Sequence, residues 1–194
     1  FYIVIITLCK MNLGHIANKI KNRSKPKDTF YTPCVLAKKH IEMIEAKKTD
    51  IWYDDSAGKM VYFDNFPTKY KYWSEITKGK NLFHFNTDVD IICGNPPYSI
   101  LTDVMCKSIS LNPRIISYLI GQQNFTPYRL KMMRENGYGL TKIHICKVRG
   151  FFGYSYICVW EKDKKDIISY ETQNYYGELP LCPELDKYGN LKKK

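Results

Sequence analysis

Asp90-Ile91-Ile92-Cys93-Gly94-Asn95-Pro96-Pro97-Tyr98-Ser99 is the stretch on which the reading of this chain turns. The apolar run from Val89 to Cys93 predicts a buried strand, and Gly94 breaks it into a turn stiffened by two prolines. Open α/β sheets bind ligands at the carboxyl ends of their strands, where this turn falls. The turn offers the Asn95 amide, the carbonyls of Pro96 and Pro97 with no N–H of their own, and the aromatic face of Tyr98. A planar group bearing an exocyclic NH2 matches that set, because two acceptors take the amino protons while the ring stacks on the plane. An ordinary Pro-Pro turn after a strand is the competing reading.

The 194 residues are enough for one domain with a proper core and too few for two comfortable ones. Hydrophobic content of 44% and aromatic content of 14% argue against global disorder. A formal charge of +11 favours a polyanionic partner, nucleic acid ahead of an anionic membrane. The seven cysteines form no C-x-x-C pair and have no matching histidine spacing, so no metal site is expected. Their odd number and the place of several in apolar strands fit buried thiols in a reducing compartment, cytoplasmic or nuclear. Phe1–Leu8 is too short to span a bilayer, lacks a basic flank before it and does not read as a signal peptide. Met11 as a native start and residues 1–10 as a short extra strand are both open readings.

Lys19, Lys21, Arg23, Lys25 and Lys27 alternate with polar residues and form a basic arm over 1–27, either a solvated leader or a phosphate contact. Thr32 is expected to cap a helix with Pro33 at its first position, and Val35, Leu36, Ile41, Met43 and Ile44 to face the core. His40 is expected on the surface of that helix. Asp50–Tyr53 reads as the first core strand, running into Asp54-Asp55-Ser56-Ala57-Gly58-Lys59-Met60, the kind of Gly-containing turn that brings backbone close to a nucleotide-like ligand. Lys71–Ile76 reads as the second strand. Glu75 at its end, about twenty residues past the Gly turn, is placed to bind ribose hydroxyls, with a plain surface carboxylate as the alternative.

Beyond the Pro-Pro turn, Ile100–Ser110 has helical spacing, and Arg114–Ile120 is an apolar strand ending at Gly121. Thr126 caps a helix that stops at Asn136-Gly137. Leu140–Val148 and Tyr154–Glu161 read as a hairpin joined by Arg149–Gly153, and a polar tail follows over 163–194.

Asn95-Pro96-Pro97-Tyr98 resembles the Asn-Pro-Pro-Tyr motif of the S-adenosylmethionine-dependent amino-methyltransferases, chiefly the N6-adenine DNA enzymes. The Phe30-Tyr31-Thr32-Pro33 start, the Asp54–Gly58 loop, Trp73-Ser74-Glu75-Ile76 and Gly79-Lys80-Asn81-Leu82-Phe83 are similar, in order, to that family's cofactor segments. The resemblance covers residues 28–162. It implies a Rossmann-like methyltransferase fold, a mostly parallel α/β sheet with an antiparallel hairpin at its C-terminal end. It implies S-adenosylmethionine as cofactor, bound by Tyr31, Thr32, Pro33, Asp54, Ala57, Gly58, Glu75, Asn81, Phe83 and Asn95. Asn95, Pro96, Pro97 and Tyr98 would carry catalysis on adenine in DNA, with the basic arm on nucleic acid.

Three departures from the family pattern bear on the cofactor. Asp55 stands where proline is usual and adds a negative charge near the cofactor. Met60 stands where a second glycine is usual and adds a side chain where backbone should approach. Asn81, in place of an aspartate, keeps a carbonyl acceptor but not the charge. RNA adenine, a protein glutamine amide, or a lapsed domain that only binds nucleic acid are the alternatives. With no separate recognition domain in the sequence, target choice falls to loops, the arm or a partner protein.

Overall fold

In a computed structural model of the chain, the structure describes residues 31–148, 151 and 153–168. The basic arm, Met11 and the tail beyond 168 lie outside the described residues. Six strands form one sheet: β1 (Trp52–Asp54), β2 (Lys71–Trp73), β3 (Ile91–Gly94), β4 (Ile115–Gly121), β5 (Tyr138–Cys146) and β6 (Ser155–Lys162). Their order is β2-β1-β3-β4-β6-β5. The first four run parallel, while β6 pairs antiparallel with both β4 and β5. This is the expected parallel α/β sheet with an antiparallel pair at its end. No described helix is long and apolar enough to cross a membrane.

Alternation along the strands builds two cores, because successive side chains leave opposite faces of a sheet. Tyr53, Ile92, Ile116 and Tyr118 point to one face, where α3 (Leu101–Ser110) and α4 (Pro127–Glu135) bring Leu101, Val104, Met105, Leu130 and Met133. Trp52, Ile91, Cys93 and Ile115 point to the other, covered by α1 (Cys34–Glu42) and α2 (Val61–Asn65) through Ala37, Ile41 and Tyr62. Burying each large side chain contributes about 1.5–3 kcal/mol. That is why the continuous apolar runs of β3 and β4 lie at the centre of the sheet, closed to water on both faces.

Several local expectations are corrected. The first core strand is Trp52–Asp54 rather than Asp50–Tyr53; Asp50 instead accepts from the Lys47 N–H and pairs with Arg114. β2 stops at Trp73, because Glu75 turns the chain into a 3-10 turn at Ile76–Lys78. The α1 helix begins at Cys34 with Pro33 as its cap residue, in an extended conformation (φ −60°, ψ 140°) and with no side-chain cap from Thr32. Val35 is 82% exposed, and His40 is fully buried. The helix is rotated so that Ala37, His40 and Ile41 face the sheet. His40 hydrogen-bonds the Tyr62 hydroxyl (2.9 Å) and the Ser117 hydroxyl (2.7 Å), which tie α1 to α2 and β4. Ser117 itself donates to the Cys158 carbonyl, so His40 Nε2 donates to Ser117 and Nδ1 accepts from Tyr62. Burial holds this imidazole neutral, its pKa lowered to about 3. In the predicted C-terminal helix, by contrast, Thr126 does cap α4, accepting from the Arg129 N–H with Pro127 at the first turn.

Candidate active site

In sequence order the chain leaves β1, forms β2 on one side of it, then returns to place β3 on the other. The carboxyl ends of β1 and β3 therefore flank a topological switch point, the crevice where open α/β sheets bind ligands. The loop after β1 carries Asp54–Met60, and the turn after β3 carries Gly94–Tyr98.

Backbone contacts to β2 hold the β1 loop in place. The Ala57 N–H donates to the Ser74 carbonyl (2.9 Å), and the Ser74 N–H to the Asp54 carbonyl (2.8 Å). The Gly58 N–H donates to Glu75 Oε2 (2.8 Å), so the carboxylate at the end of β2 reaches the glycine loop itself. Glu75 Oε1 accepts from the Thr77 N–H and hydroxyl. Gly58 has φ 48° and lies against the Tyr31 ring, which a Cβ there would meet at 3.6 Å. Lys59 Nζ sits 4.2 Å from the centre of that same ring. The structure thus brings together Tyr31, Gly58 and Glu75, three residues predicted for the cofactor.

Other predicted residues take different places. Asp54 is fully buried and accepts from the N–H groups of Ser56 and Phe63, so it shapes the loop from beneath. Burial and the neighbouring Asp55 push its carboxyl well above the usual range. Thr32 is buried beside Tyr62. Asn81 caps the 3-10 turn Leu82–His84, its side-chain oxygen accepting from the Phe83 N–H (3.0 Å). Phe83 is part of the core with Tyr53 and Ile92.

Asp55 is shielded from solvent beneath the crevice. It is 1% exposed and accepts a hydrogen bond from the Tyr118 hydroxyl inside the sheet's core. Burial raises its pKa to about 6. Met60 adopts the left-handed conformation (φ 68°, ψ 11°) as the residue that starts α2. A glycine adopts that backbone without strain, so the family pattern has a direct backbone reason at this position.

At the other lip of the crevice, Gly94 leaves little room for a side chain. A Cβ there would lie 3.1 Å from Asp54 Oδ1 and 3.5 Å from Asp55 Oδ1, so the two loops touch through this glycine. Asn95 is half-buried and Pro96 buried. Tyr98 opens the 3-10 turn Tyr98–Ile100, and its ring lies across Gly121, where a Cβ would meet it at 3.2 Å. The end of β4 thus seats the aromatic face through a glycine whose role the sequence reading did not identify. A cavity of about 420 Å³ flanks β2 nearby, and of the predicted cofactor residues Asn81 alone lines it.

No protein-family model and no curated protein sequence matches the chain. Solved structures do. A candidate RNA methyltransferase from Pyrococcus horikoshii superposes with a TM-score of 0.58 at 17% identity, covering 70% of this chain and 88% of that one. Magnesium protoporphyrin IX methyltransferase from Synechocystis, solved with bound S-adenosylmethionine, gives 0.55 at 12% identity, over 66% of this chain and 79% of that one. The Mtq2–Trm112 complex of E. cuniculi, responsible for methylating the eRF1 translation termination factor, gives 0.51 at 17% identity, over 69% and 98%. The chain has the Rossmann-like fold of the S-adenosylmethionine-dependent methyltransferases.

Proposed function

We propose that this chain transfers a methyl group from S-adenosylmethionine to the exocyclic amino group of adenine in DNA. The observation that carries the reading is the position of Asn95-Pro96-Pro97-Tyr98, at the carboxyl end of β3 across a switch-point crevice from the glycine loop. The charge of +11 favours a nucleic acid over a protein substrate.

The residues present fit the cofactor. A carboxylate at the end of β2, already aligned on a glycine-loop N–H, is placed to accept from ribose hydroxyls. Tyr31, Thr32 and Pro33 would border the methionine end, with the Ala57 and Gly58 backbone beneath. Asn81, positioned by Phe83, would accept from the adenine amino group of the cofactor through the remaining lone pair of its oxygen. When bound, S-adenosylmethionine supplies an electrophilic methyl group on its sulfonium.

The chain's own part is orientation. Asn95 Oδ1 and the Pro96 carbonyl accept the two protons of the target amino group, which localises the nitrogen lone pair and aims it. Tyr98 stacks on the target base once it has left its helix and offsets part of the unstacking cost of a few kcal/mol. The proton leaves to solvent after transfer, and no general base is assigned. Asp54 and Asp55, the carboxylates nearest to Gly94, are buried and hydrogen-bonded within the fold. Target choice rests on the basic arm, on loops or on a partner protein.

A methylation assay with labelled S-adenosylmethionine on DNA, RNA and protein substrates tests the reading. Asn95→Ala should lower turnover about a hundredfold or more, the scale of losing one preorganised polar group, with melting temperature nearly unchanged and cofactor binding retained through the other residues of its site. A folded, cofactor-binding Asn95→Ala protein that methylates adenine at the parent rate refutes the role of this turn. Met60 in the glycine loop supports one second reading, a lapsed domain that binds nucleic acid without methylating it. Absence of S-adenosylmethionine binding by calorimetry would select that reading.

A further inference from the structure

We propose that the outer edge of β2 is a binding platform for single-stranded nucleic acid, separate from the catalytic turn. The inference rests on the nucleic-acid reading above and adds a surface whose cavity shares Asn81 alone with the proposed cofactor residues.

β2 is the last strand on its side of the sheet, and its outer edge pairs with no other described strand. Lysine and aromatic residues interleave along it as Lys69-Tyr70-Lys71-Tyr72-Trp73. Tyr70 is 52% and Tyr72 42% exposed, Tyr72 with one part of its ring against Phe85 (ring centres 5.7 Å), on a sheet whose other aromatic residues are mostly buried. The Trp52 N–H donates to the Tyr70 carbonyl, so the extended ladder includes Tyr70. Two residues apart, Tyr70 and Tyr72 emerge on one side of the strand, about 7 Å from each other. That is twice the roughly 3.4 Å step between stacked nucleotides, a spacing suited to an extended strand whose bases have separated.

Lysines accompany Tyr70 and Trp73, the latter turned to the opposite face of the strand from Tyr72. Lys69 Nζ lies 5.2 Å from the Tyr70 ring centre, while Lys80 and Lys78 lie 3.9 and 5.6 Å from that of Trp73. Between residues 69 and 84 there are four lysines and one carboxylate, Glu75, which is engaged with Gly58 and Thr77. The cavity of about 420 Å³ beside the strand is lined by Lys71, Tyr72, Trp73, Lys80 and His84 among others, a basic and aromatic concavity. Exposed ring faces with interleaved cations take unpaired bases and their phosphates together; a duplex hides its base faces and an anionic peptide has no use for the rings.

The test uses the full chain and a fluorescein-labelled oligothymidine, which carries no adenine amino group for the catalytic turn. Oligouridine and a duplex of equal length are further arms. Tyr70→Ala with Tyr72→Ala should weaken oligothymidine binding tenfold or more, and Tyr70→Phe with Tyr72→Phe should retain it. Lys69→Gln with Lys78→Gln should reduce the slope of log affinity against log salt by about 1.4. Calorimetric binding of S-adenosylmethionine should stay at the parent value in every variant. Photo-crosslinking of the parent chain to a bromodeoxyuridine strand should label the peptide spanning residues 69–84, a measurement that needs no substitution. Parent-like binding by the double alanine variant, or crosslinks confined to other segments, overturns the platform. A parent chain that methylates duplex DNA but binds no single strand overturns the platform alone; one that methylates only protein overturns both readings.

Discussion

Replacing Met60 by glycine separates backbone strain from cofactor access. Met60 sits at φ 68° and ψ 11°, with its N–H donating to the Ala57 carbonyl and its carbonyl accepting from Asp64 as α2 begins. Holding a side-chain-bearing residue in this left-handed conformation costs about 1–2 kcal/mol, which glycine recovers. Against that, glycine adds about 0.5–1 kcal/mol of unfolded-state entropy, and the half-buried Met side chain surrenders part of its burial, about 1 kcal/mol. The stability of Met60→Gly should therefore stay within about 1 kcal/mol of the parent. Met60→Ala retains the strained backbone and loses the same packing, so it should be the less stable variant by about 1 kcal/mol, although alanine outranks glycine in most settings. Cofactor affinity adds a second axis. If the side chain crowds the loop, Met60→Gly should tighten S-adenosylmethionine binding by up to about tenfold, near 1.4 kcal/mol. Chemical denaturation and calorimetry on the three proteins give both numbers. An alanine variant as stable as the glycine variant refutes the strain argument, and unchanged or weaker cofactor binding shows that the loop has adapted around Met60.

Gly94→Ala should destabilise the fold by about 1–3 kcal/mol, since its Cβ would press on the Asp54 carboxylate at 3.1 Å; a melting curve like the parent's would show that the two loops separate freely. Tyr98→Ala should weaken target binding by about 1–3 kcal/mol and also lower the melting temperature, because the ring packs on Gly121, whereas Tyr98→Phe should be mild in both; loss of stability with target binding intact would assign the ring to packing alone. In acid, two buried groups act in opposite directions. His40, at about 3 when folded, contributes stability that is complete above its unfolded value of 6.5 and lost as pH falls below it. Asp55, raised to about 6 from 3.8, instead gains stability as pH falls through 6 toward 4, because the folded state then binds a proton that the unfolded chain does not. Asp55→Asn should remove that gain, about 1.4 kcal/mol per pH unit between 6 and 4, in denaturation curves compared with the parent's; parallel pH profiles would show that Asp55 stays ionised. Nucleic-acid binding should weaken steeply with salt, and neutralising Lys19, Lys21, Arg23, Lys25 and Lys27 should flatten the slope, an outcome that filter binding across a salt series would deny by returning the parent slope.

What the sequence alone determined is what short-range chemistry controls. The apolar runs into Cys93 and Ile120, short and bounded by Gly and Pro, read as buried strands, and both lie at the sheet's centre. The two prolines end β3 wherever it is packed, and Thr126-Pro127 starts α4 with the predicted cap. The order of strands, helices and glycine turns then suffices to predict a parallel sheet finished by a hairpin.

Side-chain direction required the tertiary structure. Periodicity showed that α1 has an apolar side but not its rotation. The rotation goes with the hydrogen bonds that His40 accepts from Tyr62 and donates to Ser117, the latter 77 residues away, and it turns Val35 outward. Asp55 read as a charge beside the cofactor because its position in the loop was known and its rotamer was not. Tyr118, 63 residues further on, draws it into the core. Glu75 read as a strand-end carboxylate, and only the packed sheet places its oxygen on the Gly58 N–H. The left-handed backbone at Met60 and the packing of Tyr98 on Gly121 are likewise products of closure. Each depends on which surfaces meet, and a local pattern cannot specify a partner that lies tens of residues away.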